Sequence, residues 1–301
     1  MLLNLGNTCA INSLIQSINL TNIDIKKFNK PNNNTLSKSL FELIYLIQNN
    51  PDKNIKPSKF IETLYNKLTE FQRFQQLDAQ ELWILMSNKI FEETAINIDL
   101  NKSFINSIHE KAFNDLNRHN NNKDCLWNQI FQGSIVNILT CKNCENKSLS
   151  FEPFYSLNMT PNISITEMFR EYFKKENIEN IDCEKCLTKT KHTKIVKFYK
   201  LPKFLILSIN RYNENKNKKI EVNPSLIFSS NILIDNNKKL EINLLSTVNH
   251  YGSMNNGHYT CLNIKENKLI DDESIVKSDC INLFKNNNNI YMLFYKIDFV
   301  I

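Results

Sequence analysis

Apolar residues in the first third of the chain recur every three or four positions. Ile11, Leu14, Ile15 and Ile18 form one stripe, and Leu36, Leu40, Leu43, Ile44 and Ile47 a second. Phe60, Ile61, Leu64 and Leu68 form a third; a fourth runs from about Asp78 to Glu92 with Leu82, Leu85, Met86 and Ile90 inward. A fifth spans roughly Phe104 to Leu116. This period puts each set on one face of an amphipathic helix packed on a core. Asn7 and Thr8 stand where the first helix needs a cap, and Pro57-Ser58 opens the third. An Asn-rich stretch, Arg118 to Lys123, reads as a loop, and from Gln129 the pattern changes. Ile135 to Leu139, Lys194 to Tyr199, Phe204 to Ile209, Leu240 to Leu245, Tyr259 to Ile264 and Ile290 to Lys296 read as strands, with a short helix near Thr166 to Lys175. Helices first and a mostly antiparallel sheet afterwards define an α+β chain. The Asn/Lys runs at 213–219 and 285–289 fit loop tips.

Composition narrows the class. With 42% hydrophobic and 23% charged residues in 301, the chain has enough apolar material for a core, which excludes wholesale disorder. No run of 18 apolar residues exists, so no membrane helix is expected. Met1 to Ala10 lacks the basic and apolar regions of a secretory signal, which points to an intracellular, reducing compartment, cytoplasmic or nuclear. The net charge of +6 is spread among Asn and Lys without a basic block, and Asn is roughly one residue in six. That diffuse charge argues against a nucleic-acid binder.

Glycine is scarce: only Gly6, Gly133, Gly252 and Gly257 occur. They are expected where the backbone must turn left-handed or come close to another group. Eight cysteines occur, four of them as Cys141-x-x-Cys144 and Cys183-x-x-Cys186. In a reducing compartment that spacing reads as a tetrahedral structural Zn²⁺ site on two knuckles, separated by an insertion with its own helix. Cys125, Cys261 and Cys280 read as packing residues.

Cys9 falls at the first turn of the first helix, where unpaired N–H groups and the helix dipole favour a thiolate. Asn4 and Asn7 offer amide donors for an oxyanion. A thiol nucleophile needs a base, and His258 lies in a segment, His250 to Tyr259, that reads as a glycine-bearing loop leading into a strand. Tyr259 to Ile264 and Lys268 to Ile270 can form a hairpin that returns Asp271-Asp272 towards that imidazole. Neighbouring strand residues face opposite ways, so the two acids are expected to differ in role.

Several motifs now stand in order. They are Gly6-Asn7-Thr8-Cys9-x-x-Asn12-Ser13, Gln75-Gln76-Leu77-Asp78-Ala79-Gln80-Glu81, the two cysteine pairs, Gly252-x-x-x-x-Gly257-His258-Tyr259, and Asp271-Asp272. Ile130-Phe131-Gln132-Gly133, Phe151-Glu152-Pro153-Phe154, Leu207 to Tyr212 and Tyr291 to Tyr295 fall between and after them. The set resembles the ubiquitin-specific protease family of papain-like cysteine deubiquitinases, and spans essentially the whole chain. It departs from the family at Asn267 and Ile270, where a Trp and a Phe are usual. The resemblance implies Cys9 as nucleophile, His258 as general base, Asp271 as its orienting partner, Asn4 as oxyanion amide and Asp272 as a second polar residue near the site. It implies that Asp78 and Glu81 meet the arginines of ubiquitin's tail. It also implies a papain-like cysteine protease fold in one catalytic domain over 1–301: a helical thumb to about 128, zinc-bearing fingers over about 129–200, and an antiparallel-sheet palm beyond. The expected function is hydrolysis of the isopeptide bond at the C-terminal glycine of ubiquitin, with ubiquitin and ubiquitinated proteins as partners and no catalytic cofactor. Two other readings are a pseudo-protease that binds without cutting, against which Cys9, His258 and Asp271 all stand, and a zinc-ribbon nucleic-acid binder.

Overall fold

The computed structural model describes residues 1–28, 31–211, 219–228, 239–253, 256–277 and 288–300. The helices are α1 (Cys9–Leu20), α2 (Leu36–Asn49), α3 (Ser58–Lys67), α4 (Ala79–Thr94), α5 (Ser107–His119), α6 (Leu126–Phe131) and α7 (Ile165–Tyr172), with one 3₁₀ turn at Ile25–Lys27. The strands are β1 (Ile96–Asn97), β2 (Lys123–Asp124), β3 (Gly133–Cys141), β4 (Lys147–Phe154), β5 (Leu157–Met159), β6 (Glu176–Cys183), β7 (Thr188–Lys200), β8 (Phe204–Ile209), β9 (Ser225–Phe228), β10 (Lys239–Ser253), β11 (Asn256–Asn263), β12 (Lys268–Asp271), β13 (Ser274–Lys277) and β14 (Ile290–Val300).

The apolar stripes bury as the periodicity requires. Every stripe residue of the first three helices is buried, as are Leu82, Met86 and Ile90 of α4; Leu85 is only partly covered. Most of α1 lies inside the molecule, including Asn12, Ser13, Gln16 and Ser17, so this helix has no solvent face over its first ten residues. Local caps set the starts. Thr35 accepts from the Lys38 N–H, and Asn106 from the His109 N–H. The Asn106 cap moves α5 three residues later than expected and carries it through Arg118, into the stretch read as a loop. Helix α6 is absent from the sequence-based reading, because a two-turn helix shows no full apolar period.

A large sheet in the order β13-β12-β11-β10-β14-β8-β5, with β9 also on β10, forms the palm. All its pairings are antiparallel except β5 with β8. Strand β8 is buried on both faces: Phe204 and Ile206 join the core beneath the helical thumb, whereas Leu205, Leu207 and Ile209 join a second core with α7. Residues Met292 to Tyr295 of β14 alternate in the same way. Period-two alternation between two covered faces explains why these strands read as unbroken apolar runs. A separate four-stranded sheet, β4-β3-β7-β6, forms the fingers.

Strand β10 extends to Ser253 and β11 begins at Asn256, so the segment read as a loop around His250 and His258 is instead the end of a hairpin. Its glycines hid the pattern. Gly252 and Gly257 face each other across the pair, and a Cβ on either would fall within 3 Å of backbone opposite. Residues 254–255, Cys280, 213–218 and 285–287, to which expectations attached, lie outside the described residues.

Candidate active site

Cys9 is the first residue of α1 and is 5% exposed. Thr8 caps the helix by position, but its side chain turns back: its hydroxyl accepts the Leu5 N–H at 3.0 Å. Burial pushes the Cys9 thiol above its ordinary pKa. Backbone N–H groups of Tyr259, Ala10 and Cys9 itself pull the other way, and the Asp272 carboxylate adds to the rise. The helix-start donors anticipated from the sequence are therefore present, yet desolvation outweighs them. A thiolate here needs help from a base.

The candidate for that base, His258, stands on β11. Helix α1 packs against this strand, and the Tyr259 N–H that reaches the Cys9 sulfur is one residue after His258. β11 pairs with β12 through Cys261 with Ile270 and Asn263 with Lys268, around the turn at 264–267. Asn267 supplies the left-handed residue of that turn, with φ of 52°. The hairpin thus forms with Asn267 and Ile270 where the resemblance leads one to expect aromatic residues; Ile270 is 8% exposed and Asn267 faces solvent. It returns Asp271, whose Oδ1 lies 2.6 Å from His258 Nε2. With Nε2 so engaged, Nδ1 is the nitrogen left for chemistry.

Asp272 takes a separate place. It lies past the end of β12 with φ of 50°, a turn geometry and not the strand alternation expected, and it is buried. Its Oδ2 accepts from Asn4 Nδ2 and its Oδ1 from Asn12 Nδ2, each at 2.7 Å. Asn4 Oδ1 in turn accepts from the N–H groups of Gly6 (3.0 Å) and Thr8 (3.3 Å). The carboxylate therefore fixes which way the Asn4 amide faces, and leaves one of its two N–H donors unused by Asp272. Asn12 escaped the sequence-based reading as a site residue. Its signal was a polar side chain three residues after Cys9, on the same face of a helix that is otherwise buried.

Asp78 and Glu81 separate. Asp78 caps α4, its Oδ1 accepting from the N–H groups of Gln80 at 2.8 Å and Glu81 at 3.0 Å, while its Oδ2 accepts from the Tyr291 hydroxyl. Both oxygens are in use. Glu81 is exposed, and its carboxylate takes no partner among the described residues. Beside the start of α4, Gln80 Nε2 donates to Asn158 Oδ1 at 2.6 Å. Asn158 also lines a polar concavity of about 590 Å³ between palm and fingers, with Asn137, Glu152, Glu171 and Lys194.

At the finger tip, Cys141, Cys144, Cys183 and Cys186 bring their sulfurs within 4.8 Å of one another. Cys141 and Cys186 are 3.9 Å apart and Cys144 and Cys183 3.6 Å, too far for disulfides. Four sulfurs each ~2.3 Å from one tetrahedral ion would be about 3.8 Å apart, so the cluster fits a metal of that kind. The N–H groups of Asn143 and Cys186 point at Cys141 Sγ and Cys183 Sγ, both at 3.4 Å, and compensate thiolate charge. Cys125 and Cys261 are buried packing residues, as expected.

A cysteine at a helix start, packed on a strand that carries a histidine oriented by a carboxylate, at the seam between a helical layer and an antiparallel sheet, fits the equipment of a papain-like thiol hydrolase. The chain belongs to the ubiquitin carboxyl-terminal hydrolase family, whose model matches residues 2–295. It is 28% identical over 289 residues to ubiquitin carboxyl-terminal hydrolase Usp2 of Drosophila melanogaster, covering 86% of this chain and 30% of that protein. It is 27% identical over 332 residues to ubiquitin carboxyl-terminal hydrolase 12 of Salmo salar, covering 98% of this chain and 88% of the relative. The chain thus spans less than a third of the Drosophila relative's length and most of the salmon one's. Among solved structures, it superposes on a chain of the SAGA DUB module Ubp8/Sgf11/Sus1/Sgf73 bound to monoubiquitin, with a TM-score of 0.74 at 20% identity. That match covers 99% of this chain and 68% of the other. The same module bound to ubiquitin aldehyde gives a TM-score of 0.70 at 20% identity, covering 99% and 69%. At such identity the likeness concerns the fold. Among the described residues, no helix is long and apolar enough to cross a membrane.

Proposed function

We propose that this chain is a thiol-dependent deubiquitinase, one catalytic domain that hydrolyses the isopeptide bond between the C-terminal glycine of ubiquitin and a lysine of a conjugated protein, inside the cell. The observation that carries the reading is the seam itself: the helix that begins with Cys9 packs on β11, and His258 of that strand is bound to Asp271 at 2.6 Å. His258 Nδ1 removes the thiol proton, which offsets the cost of ionising a buried sulfur. The Cys9 sulfur then attacks the glycine carbonyl, and the tetrahedral oxyanion is met by the free N–H of Asn4 and by backbone donors at the start of α1. His258 gives its proton to the leaving lysine amine, a glycyl thioester remains, and water activated by His258 releases ubiquitin. Asp271 holds the imidazole throughout, and Asp272 keeps Asn4 aimed.

Glu81 is the acid best placed to meet an arginine of the incoming tail. Asp78 contributes by capping α4 and tethering it to Tyr291. The polar concavity beside Asn158, about 590 Å³, is of a size to take polar side chains from the surface of the substrate's globular body. Zn²⁺, held by Cys141, Cys144, Cys183 and Cys186, would close the finger tip structurally and take no part in the reaction. The test is cleavage of a fluorogenic ubiquitin C-terminal amide. The parent should turn it over and Cys9→Ala should not, while His258→Ala should lose at least ~10²-fold in kcat, as for removal of a general base. Near-parental turnover by Cys9→Ala would reject the mechanism.

A further inference from the structure

β11 changes neighbours along its length. From Cys261 to Asn263 its outer side is covered by β12. Before Cys261 that side has no strand beside it among the described residues, and the thumb docks there instead. In an antiparallel pair, the N–H and C=O of alternate residues turn outward. On this bare edge the outward residues are Gly257 and Tyr259. The Tyr259 N–H meets Cys9. Both groups of Gly257 meet one side chain: its N–H donates to Gln76 Oε1 at 2.8 Å, and its carbonyl accepts from Gln76 Nε2 at 2.7 Å. The carboxamide therefore stands where the next strand's peptide group would be. His258 lies between these two rungs, its own backbone paired with Tyr251.

The rung at Gly257 has little else to hold it. The residue opposite is Gly252, with φ of 122°, so no side chain of either residue packs there. The ring of His250 sits so close to Gly257 that a Cβ would come within 2.1 Å of its Nε2. Gln76, by contrast, is anchored on both sides. Asn7 Nδ2 donates to the Phe74 carbonyl at 2.5 Å, Leu77 is buried, and Asp78 caps α4. Of the 20 side chains, only a carboxamide offers a donor and an acceptor spaced to match one residue's C=O and N–H. Gln76 reaches across the cleft and asparagine would fall one methylene short.

We infer that Gln76 is a positioning residue: by pairing with both backbone groups of Gly257 it fixes the rung before His258, and so sets the imidazole against the Cys9 thiol. The inference rests on the reading of Cys9 and His258 as nucleophile and base. Its direct readout is the reactivity of Cys9 towards a small reagent that needs no substrate site.

The experiment compares the parent with Gln76→Met, which keeps the length and loses both polar ends, and Gln76→Glu, which keeps an acceptor and loses the donor. Iodoacetamide modification of Cys9 is followed by mass spectrometry of its peptide, alongside kcat and KM on the fluorogenic ubiquitin amide and the thermal midpoint. Gln76 is exposed, so both variants should melt with the parent. Both should alkylate Cys9 several-fold more slowly, and kcat should fall about tenfold or more with KM nearly unchanged, as for a misplaced catalytic group. Parental alkylation and kcat would overturn the inference. So would a rise in both, which would make Gln76 a bar across the cleft, or a change confined to KM, which would make it a substrate contact. A parent that alkylates at Cys9 but cleaves no ubiquitin amide would reject the proposed function, while the alkylation series would still decide the part played by Gln76.

Discussion

The body and the fingers of this molecule are held together by different means. In the body, Trp83 is fully buried against Trp127, Phe131 and Phe294, and its Nε1 donates to the Tyr155 carbonyl at 3.1 Å. Helices cover one face of the palm sheet, and α7 with the finger base covers the other. Beyond the base residues Ile135 and Phe198, which join the second core, the finger sheet has a small cluster of Ala112, Val136 and Phe151 where α5 lies on it, and four sulfurs at its tip. Hydrophobic burial can hold catalytic groups on neighbouring elements to within fractions of an ångström because packed interiors resist deformation. A tip made of two hairpin turns beyond those cores cannot do this and needs a cross-link. The lesson is that the site's precision should depend on the body's core, and the finger's shape on its cysteines.

The largest test of that contrast is Trp83→Ala. It opens a cavity among aromatic rings and orphans the Tyr155 carbonyl, so the loss should be ~3–5 kcal/mol, read as a shift in the urea midpoint. Body and fingers should then unfold together. Cys141→Ser should divide them. Metal content should drop from about one ion per chain towards none. Protease sensitivity should appear within 141–191, while thermal unfolding of the body and alkylation of Cys9 stay near parental. Simultaneous loss of Cys9 reactivity would show that the fingers support the site after all.

A smaller effect is the acid response of the hairpin. Burial lowers the His250 pKa below 6.5; the charge of His258 adds to this and Asp78 opposes it. The unfolded chain therefore takes up a proton that the folded one declines, so this stabilisation is full above 6.5 and is lost as pH falls through the folded value. His250→Gln should flatten the decline of the urea midpoint between about pH 7 and 5, and leave the slope above 7 unchanged. The smallest effect is expected at the surface pair of Lys59 and Glu42, exposed at 71% and 42%. Lys59→Ala should change stability by no more than about 0.5 kcal/mol in either region.

How much of this was legible depended on whether the signal was local. The helices of the thumb were readable because their stripes face one core, and the hairpin from Tyr259 to Asp271 because its two short apolar runs flank a turn. The end of the preceding hairpin, β10 with β11, was misread because glycines at 252 and 257 erase the alternation just where two backbones approach. Glycine scarcity also misled in part. Asn7, Asn22, Asn34, Asn121, Asn122, Asn180 and Asn267 take the left-handed conformation in this chain, a task asparagine tolerates better than other side chains. The proximity of Cys9, His258 and Asp271 could be anticipated only through the order of motifs, since no local rule joins residues some 250 positions apart. The pairing of Gln76 with Gly257 and of Asp272 with Asn4 and Asn12 had no local signal at all. Nor did the rise in the Cys9 pKa, because burial belongs to the assembled core and not to the helix start.

The central claim is that the thumb–palm seam presents one reactive thiol to the C-terminus of ubiquitin. It is tested most directly by treating the protein with ubiquitin whose C-terminal glycine carries an electrophile, and locating the bond by peptide mass spectrometry. The account predicts a one-to-one adduct on Cys9. Labelling should be lost in Cys9→Ala and strongly slowed in His258→Ala, with the finger cysteines and Cys125 unmodified. A stable protein that forms no adduct, or an adduct on another cysteine that survives Cys9→Ala, would contradict it.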